Sequence, residues 1–327
     1  MRRIEYYLWL VAIILGLLIF DGKVSCAGEV TSVNITLERF QEEGTPTDCS
    51  FCSDIWGSVE DFSSIILTSP LPDTYSLSLA SEGDQWAYDQ EGTQAAIEAE
   101  FIDGLYTFDV TYNDGTPPES TSLNLGGSFP VFPANVAVTA VTGGQVTWDA
   151  WASPAYPLGI LIEIEEALGT ESVRQELSYT DTSYLIPSGF LQDNTVYDLS
   201  VSFISSMYPS THKISISRVS FHTTIIDIVP ETITTKTKWI TCHIWPPDGY
   251  DVTQINQDSI RLKDDIPPVR TSIRKKQQML VVKFPTSGLS PLVPGPLELT
   301  VTGELTDTTP FEGTDSVEVV KKGGKPS

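Results

Sequence analysis

Paired carboxylates offer this sequence its clearest chance of chemistry. Residues 97–101 and 105–112 alternate apolar and polar side chains, and Asp103-Gly104 between them is a two-residue hairpin signal. That hairpin would set Glu98 opposite Asp109 and Glu100 opposite Thr107 on one outer face, with Ile97, Ala99 and Phe101 turned to a core. Like charges facing each other destabilise a sheet. A cation held by Glu98, Asp109 and Glu100 would relieve them, and outside a cell the oxygen-ligated cation to expect is Ca²⁺. The competing expectation is that the carboxylates point into water and repel weakly. Retaining glycosidases also use two carboxyls, about 5–5.5 Å apart, but an open sheet face gives no cleft to raise the pKa of one of them. No EF-hand loop or glycine–aspartate nonapeptide accompanies the pair.

The thiols come next. Cys49-Ser-Phe-Cys52 sits between two strand-like regions, without the strand-to-helix context that activates a redox pair. A zinc site would need two more ligands, and Cys242 and His243 are neighbours on a strand, so they point to opposite faces. A local Cys49–Cys52 disulfide is the expectation, with two free thiols as the alternative. Ile240, Cys242 and Ile244 share one face, which makes Cys242 a core thiol. Trp239, Thr241, His243 and Trp245 take the other face, and Trp86 and Tyr88 share a face of their own. Exposed aromatics mark a partner or a sugar platform; cover by a neighbouring domain, or core packing, is the plainer expectation for both sets. The three histidines have no metal spacing, and no nucleophile elbow, phosphate loop or dinucleotide fingerprint occurs. No cofactor is expected beyond the Ca²⁺ already weighed, and no catalysis. Asn34-Ile-Thr36 is a glycosylation sequon, meaningful only in a eukaryotic or archaeal secretory route.

The elements that must carry these residues are strands. Period-two alternation marks 74–80, 97–101, 105–112, 145–148, 159–165, 196–204, 214–223, 238–245, 279–284, 297–303 and 316–320, and helical periodicity is scarce. The fold class is all-β: three consecutive β-sandwich-like domains after a leader. Charge helps set their boundaries. Residues 28–127 hold 19 acidic side chains against one basic, 128–224 hold 9 against 3, and 225–327 hold 13 against 12. Glycine and proline punctuate the joints near 128 and 225. The division is therefore 1–27 leader, 28–127 acidic domain, 128–224 middle domain, 225–320 last domain and 321–327 basic tail. A net charge of −24 argues against nucleic acid as a partner.

Arg2 and Arg3, the apolar run 8–20 and Ser25-Cys26-Ala27 read as a secretory signal, since 13 apolar residues are too few to span a bilayer. Cys26 raises lipidation, although Lys23 stands where a lipoprotein box carries Leu. The mature chain then has no transmembrane span and works secreted or at the cell surface, in an oxidising compartment. Its basic residues gather late, at Arg261, Lys263, Arg270, Arg274, Lys275 and Lys276 and in the tail. They are either a solvated loop or a salt-sensitive contact with another copy's acidic domain.

The middle domain resembles a fibronectin type III domain. The resemblance is carried by Pro133-Ala-Asn-Val-Ala-Val, Gln145-Val-Thr-Trp148, Gly159-Ile-Leu-Ile-Glu-Ile and Leu191-Gln-Asp-Asn-Thr-Val-Tyr197. It implies a spacer or protein-binding module, with Trp148 plugging two sheets and the Tyr197 hydroxyl bonded to backbone at the sandwich corner. The last domain resembles an uncharacterised β module of secreted bacterial and archaeal proteins, through Ile244-Trp-Pro-Pro-Asp-Gly-Tyr, Val281-Val-Lys-Phe284 and Phe311-Glu-Gly-Thr-Asp315. The expected function is a non-catalytic structural, adhesive or spacer protein whose partner is an extracellular protein or polysaccharide. The alternative is a carbohydrate-binding protein using the aromatic faces.

Overall fold

The computed structural model describes residues 30–321 apart from 43–44, 58, 81–82, 84, 140–143, 168, 170, 209, 248 and 264. The expected leader, Cys26 and all of the expected basic tail but Lys321 lie outside the described residues.

Three apolar cores follow one another along the chain. Around the first lie β1 (Val30–Glu42), β2 (Thr45–Gly57), β3 (Phe62–Thr68), β4 (Thr74–Ser76), β5 (Ser78–Leu79), β6 (Gln85–Gly92), α1 (Gln94–Glu100), β7 (Gly104–Tyr112) and β8 (Glu119–Leu125). Strands β1-β2-β6-β5 face the separate sheet β4-β3-β7-β8 across Ile35, Leu37, Phe51, Phe108 and Val110. Phe51 and Phe101 stack at its centre, 3.8 Å between centroids.

Residues 97–101 do not form the expected strand. They belong to α1, whose N-cap Thr93 accepts a hydrogen bond from the Ala96 amide. Apolar residues at 97 and 101 satisfy a helical i, i+4 stripe as well as alternation, and the Gln, Ala and Glu between them favour the helix. Both Ile97 and Phe101 are buried, while Ala99 is exposed. The expected strand 74–80 is likewise split at Leu77, which turns into the core.

The second core is enclosed by β9 (Ala137–Thr139), β10 (Gln145–Thr147), β11 (Pro157–Glu166), β12 (Ser172–Leu177), β13 (Ser183–Leu185), β14 (Val196–Tyr208) and β15 (Thr211–Thr223). The three-stranded sheet β13-β10-β9 packs on β12-β11-β14-β15, the seven-strand arrangement expected of a fibronectin type III sandwich. Trp148 is buried between the sheets and donates its indole N–H to Asp181 O at 3.0 Å. Tyr197 is buried too; its hydroxyl accepts from the Gln192 amide at 2.7 Å and donates to Phe190 O at 3.2 Å. The corner tyrosine is formed as the sequence implied.

The third core lies between β16-β18-β21-β20 and β17-β23-β22-β19, built from β16 (Ile226–Val229), β17 (Thr232–Thr234), β18 (Trp239–Ile244), β19 (Ile255–Leu262), β20 (Arg270–Arg274), β21 (Met279–Pro285), β22 (Gly295–Leu305) and β23 (Pro310–Val320).

These cores are joined more closely than beads on a string. β1 pairs in parallel with β15 over eight residues, from Ile35 opposite Thr211 to Glu42 opposite Arg218. β15 in turn meets β23 at His222–Phe311 and Thr223–Glu312. One side of each sandwich thus belongs to a single twelve-stranded sheet. The strand that would have been the free edge of the middle sandwich is paired, which removes an exposed row of N–H and C=O groups.

The sequence of β15 suits this position. Lys213, Ser215 and Ser217 lie on the face shared with both cores, because the register sets them beside Leu37, Arg39 and Gln41 of β1 and beside Ser205, Phe203 and Val201 of β14. No strand crosses there; the 126–133 connection does, and its carbonyls need donors. Ser215 donates to Pro130 O at 2.7 Å, Ser217 to Pro133 O at 2.6 Å and Lys213 Nζ to Gly127 O at 2.7 Å. The Arg39 guanidinium lies 4.9 Å from the Phe129 ring and 4.4 Å from the Phe132 ring. Lys213 also pairs with Asp103 at 2.6 Å.

Candidate recognition surfaces

The carboxylates expected to face each other are not brought together. Glu98 and Glu100 lie on α1, whereas Asp109 lies on β7 between Ile66 of β3 and Ser120 of β8. Glu98 is exposed and accepts from Gln94 Nε2 at 2.7 Å. Glu100 accepts from Gln90 Nε2 at 2.6 Å and from the Tyr75 hydroxyl at 3.2 Å, and Asp109 accepts from the Ser120 hydroxyl. The Ca²⁺ expectation required the hairpin, and the helix removes it. Among the described residues no group of three His, Cys, Asp or Glu side chains is arranged to hold a metal ion.

Cys49 and Cys52 are free thiols, contrary to the expected disulfide. Both lie in β2, and a separation of three along a strand sends their side chains to opposite faces and their Cα atoms about 10 Å apart, beyond the reach of a disulfide. Cys49 packs in the first core; Cys52 faces the other way, beside Ser50. Burial pushes the Cys49 thiol up to about 12 and the Cys52 thiol well above its ordinary value, so neither is a ready nucleophile. Cys242 is fully buried in the third core, on the face expected.

Trp86 and Tyr88 of β6 pack against the first core, with the Tyr88 ring 4.9 Å from that of Tyr75. They form no open shelf. The aromatics of the last domain divide into two settings. Trp239 is 42% exposed on the outer face of its sheet, with Lys283 Nζ 5.2 Å from its ring. His243, on the same face, meets Asp227 at 2.8 Å between Nδ1 and Oδ2. Trp245 is half-buried in a notch of about 290 Å³ between the second and third cores, lined also by Asn194, Ile225, Pro247 and Tyr250. A larger cavity of about 460 Å³ at the same joint carries Asp193, Glu298, Glu312 and Asp315. Its Asp315 accepts the Ile228 amide at 2.7 Å, a bond between β16 and β23 within the third sandwich.

The feature the sequence reading missed is a pair of buried glutamates beside half-buried arginines, on the face of the large sheet turned away from the first two cores. Glu38 of β1, Glu163 of β11, Arg174 of β12 and Arg218 of β15 occupy it, around an apolar cluster of Phe40, Leu161, Ile204, Ile214 and Ile216. Glu163 pairs with Arg174 at 3.2 Å. Burial raises Glu38 to about 7, partly offset by Arg218, and raises Glu163 to about 7 against the pull of Arg174. Asp54 is raised to about 6 by burial although Asn34 and the Trp56 indole both donate to it, at 2.8 and 2.7 Å. His212 is lowered to about 4 by burial. The polar positions 34, 36 and 38 of β1 alternate with apolar ones as a solvent-facing row would, so pairing within the chain was needed to show them enclosed. Asn34 is fully buried with its amide nitrogen engaged, which makes the sequon inaccessible in the folded chain.

The fold defines an all-β protein of consecutive sandwiches, the middle one with the seven strands and the tyrosine corner of a fibronectin type III arrangement. Among solved structures the chain is similar to the FN1–FN3 domains of chicken CNTN1, at 11% identity and a TM-score of 0.22, over 88% of this chain and 97% of that one. It is also similar to a two-domain fibronectin type III segment of chicken tenascin, at 13% identity and a TM-score of 0.25, over 58% of this chain and 99% of that one. No protein-family model matches the sequence, and no curated protein matches it. Among the described residues no helix is long and apolar enough to cross a membrane.

Proposed function

We propose that the chain is an exported, non-catalytic structural or adhesive protein that serves as a spacer outside the cell or on its surface, its last domain being the uncharacterised β module named above. The observation that carries this reading is the twelve-stranded sheet, whose backbone hydrogen bonds run from the first core to the third. A protein that holds partners apart gains from such continuity, because cores that share a ladder cannot swing independently. The test is the mature N-terminus of a C-terminally tagged chain. Export predicts a chain starting after Ala27, or at a lipidated Cys26, in the extracellular or surface fraction. A full-length chain retained in the cytosol overturns the reading.

A second reading, carbohydrate binding, is favoured by one observation: Trp245 and Tyr250 line an open notch beside exposed Ile225. Aromatic rings in such a notch suit a sugar ring's apolar face. Glycan-array binding that is lost in Trp245→Ala would support it, and a blank array would remove it.

A further inference from the structure

The outer face of the β16-β18-β21-β20 sheet gathers positive charge, of which Lys275 alone acts on a nearby carboxylate, that of Asp251. Register sets Lys283 of β21 directly opposite Arg270 of β20, and Met279 opposite Arg274. Lys275 and Lys276 follow immediately in a 3-10 turn. Cations opposite one another work against sheet formation, as like charges do anywhere in a ladder. Among the described residues none of these five side chains has an ion pair. The one carboxylate that the register places on this face, Asp227, is engaged by His243. Beside Lys283 stands exposed Trp239, a large apolar surface next to the charge.

The complement to this face is in the chain itself. Residues 28–127 carry 19 acidic side chains against a single basic one, and Glu60, Glu98, Asp109, Asp114 and Glu119 are exposed there. Arg39, the single basic residue, is occupied with the 126–133 connection. We propose that the Arg270–Lys283–Trp239 face docks on the acidic first domain of a second copy. This rests on the reading of the chain as an extracellular structural protein and supplies its partner. Arg270 and Arg274 sit at the two ends of β20, the outermost strand of its sheet, where charge discourages another strand from pairing by backbone. The contact is therefore made by side chains across the face. Donor and acceptor surfaces differ, so one contact leaves a free donor and a free acceptor, and it either closes reciprocally on the same partner or repeats head to tail.

Sedimentation equilibrium of the exported chain tests this at 50 and 500 mM NaCl. At the lower salt the average mass should rise with concentration above that of one copy; at the higher salt, where screening is nearly complete over a few ångströms, the chain should be monomeric. In R270E/K283E the association constant at low salt should fall at least about tenfold, with the β-sheet circular dichroism retained, because Arg270 is exposed and Lys283 only half-buried. A monomer at 50 mM overturns the proposal, as does association undiminished in R270E/K283E. A monomer that binds a uronic-acid polysaccharide through the same two cations also overturns it, and gives the face to an anionic glycan. None of these outcomes depends on where the mature N-terminus lies, so failure here is separable from failure of the export reading.

Discussion

Replacing Phe51 by Ala should loosen the second core although the side chain lies in the first. Phe51 is fully buried and stacked on Phe101, so truncation costs about 3–5 kcal/mol, including the cavity left behind. For a cooperative unit of some 150–250 residues that lowers the melting temperature by roughly 10 °C. The informative part is where the loss is felt. If the sandwiches were independent, amides of β14 and β10 would keep their protection against hydrogen exchange. The eight-residue β1–β15 ladder makes the first two cores one cooperative unit, so β14 should open with β2. Protection of β14 left at its parent level, with β2 alone exposed, would show that the shared sheet does not couple them.

The second large effect is in pH. Glu38 and Glu163 titrate near 7 in the folded chain against 4.5 ordinarily, and Asp54 near 6 against 3.8. Between the two values the folded chain holds protons that the unfolded chain has released. Stability therefore falls as pH rises through that window, by up to about 3 kcal/mol for each glutamate. His212 works the other way: lowered from 6.5 to about 4, it makes stability rise between those values. Glu38 is faced by Arg218, which lowers its pKa, and by Glu163 and Asp89, which raise it, and burial outweighs the arginine. With three carboxyls against His212, and His222 lowered in the same direction, the net slope between about pH 5 and 7 is downward. The melting temperature should be higher at pH 5.5 than at 7.5, and E38Q/E163Q should flatten the dependence. A melting temperature that climbs steadily from pH 5 to 7.5 in the parent chain would refute the assignment.

The middle sandwich was legible because its signals are local. Trp148 within an alternating segment and Tyr197 five residues after Gln192 are positions whose side chains make the fold's own contacts. The 97–101 segment was not, since apolar residues four apart satisfy both a helix and a strand; the Thr93 cap and the Ala–Glu composition were the available signals for the helix. The Cys49–Cys52 error has the same source. A connection between two strands can fold back on itself, but within β2 the two thiols diverge. Trp86 and Tyr88 packed as plain core residues would, and Trp239 was open, but alternation alone could not separate those outcomes.

The strands of the middle and last sandwiches, the uneven distribution of charge and the tyrosine corner are consequences of neighbours within about ten residues, so the amino-acid order sufficed for them. Which strand lies beside which is a matter of contacts far apart in the chain. Arg39 and Ser215, 176 residues apart in the chain and joined by a 2.7 Å hydrogen bond, carry no mark of that pairing in either segment. Polar alternation in β1 looks the same whether water or protein lies over it. Only the folded chain decided that Glu38 would be enclosed, that three cores would share one ladder, and that Lys283 would stand opposite Arg270 with no counter-charge of its own.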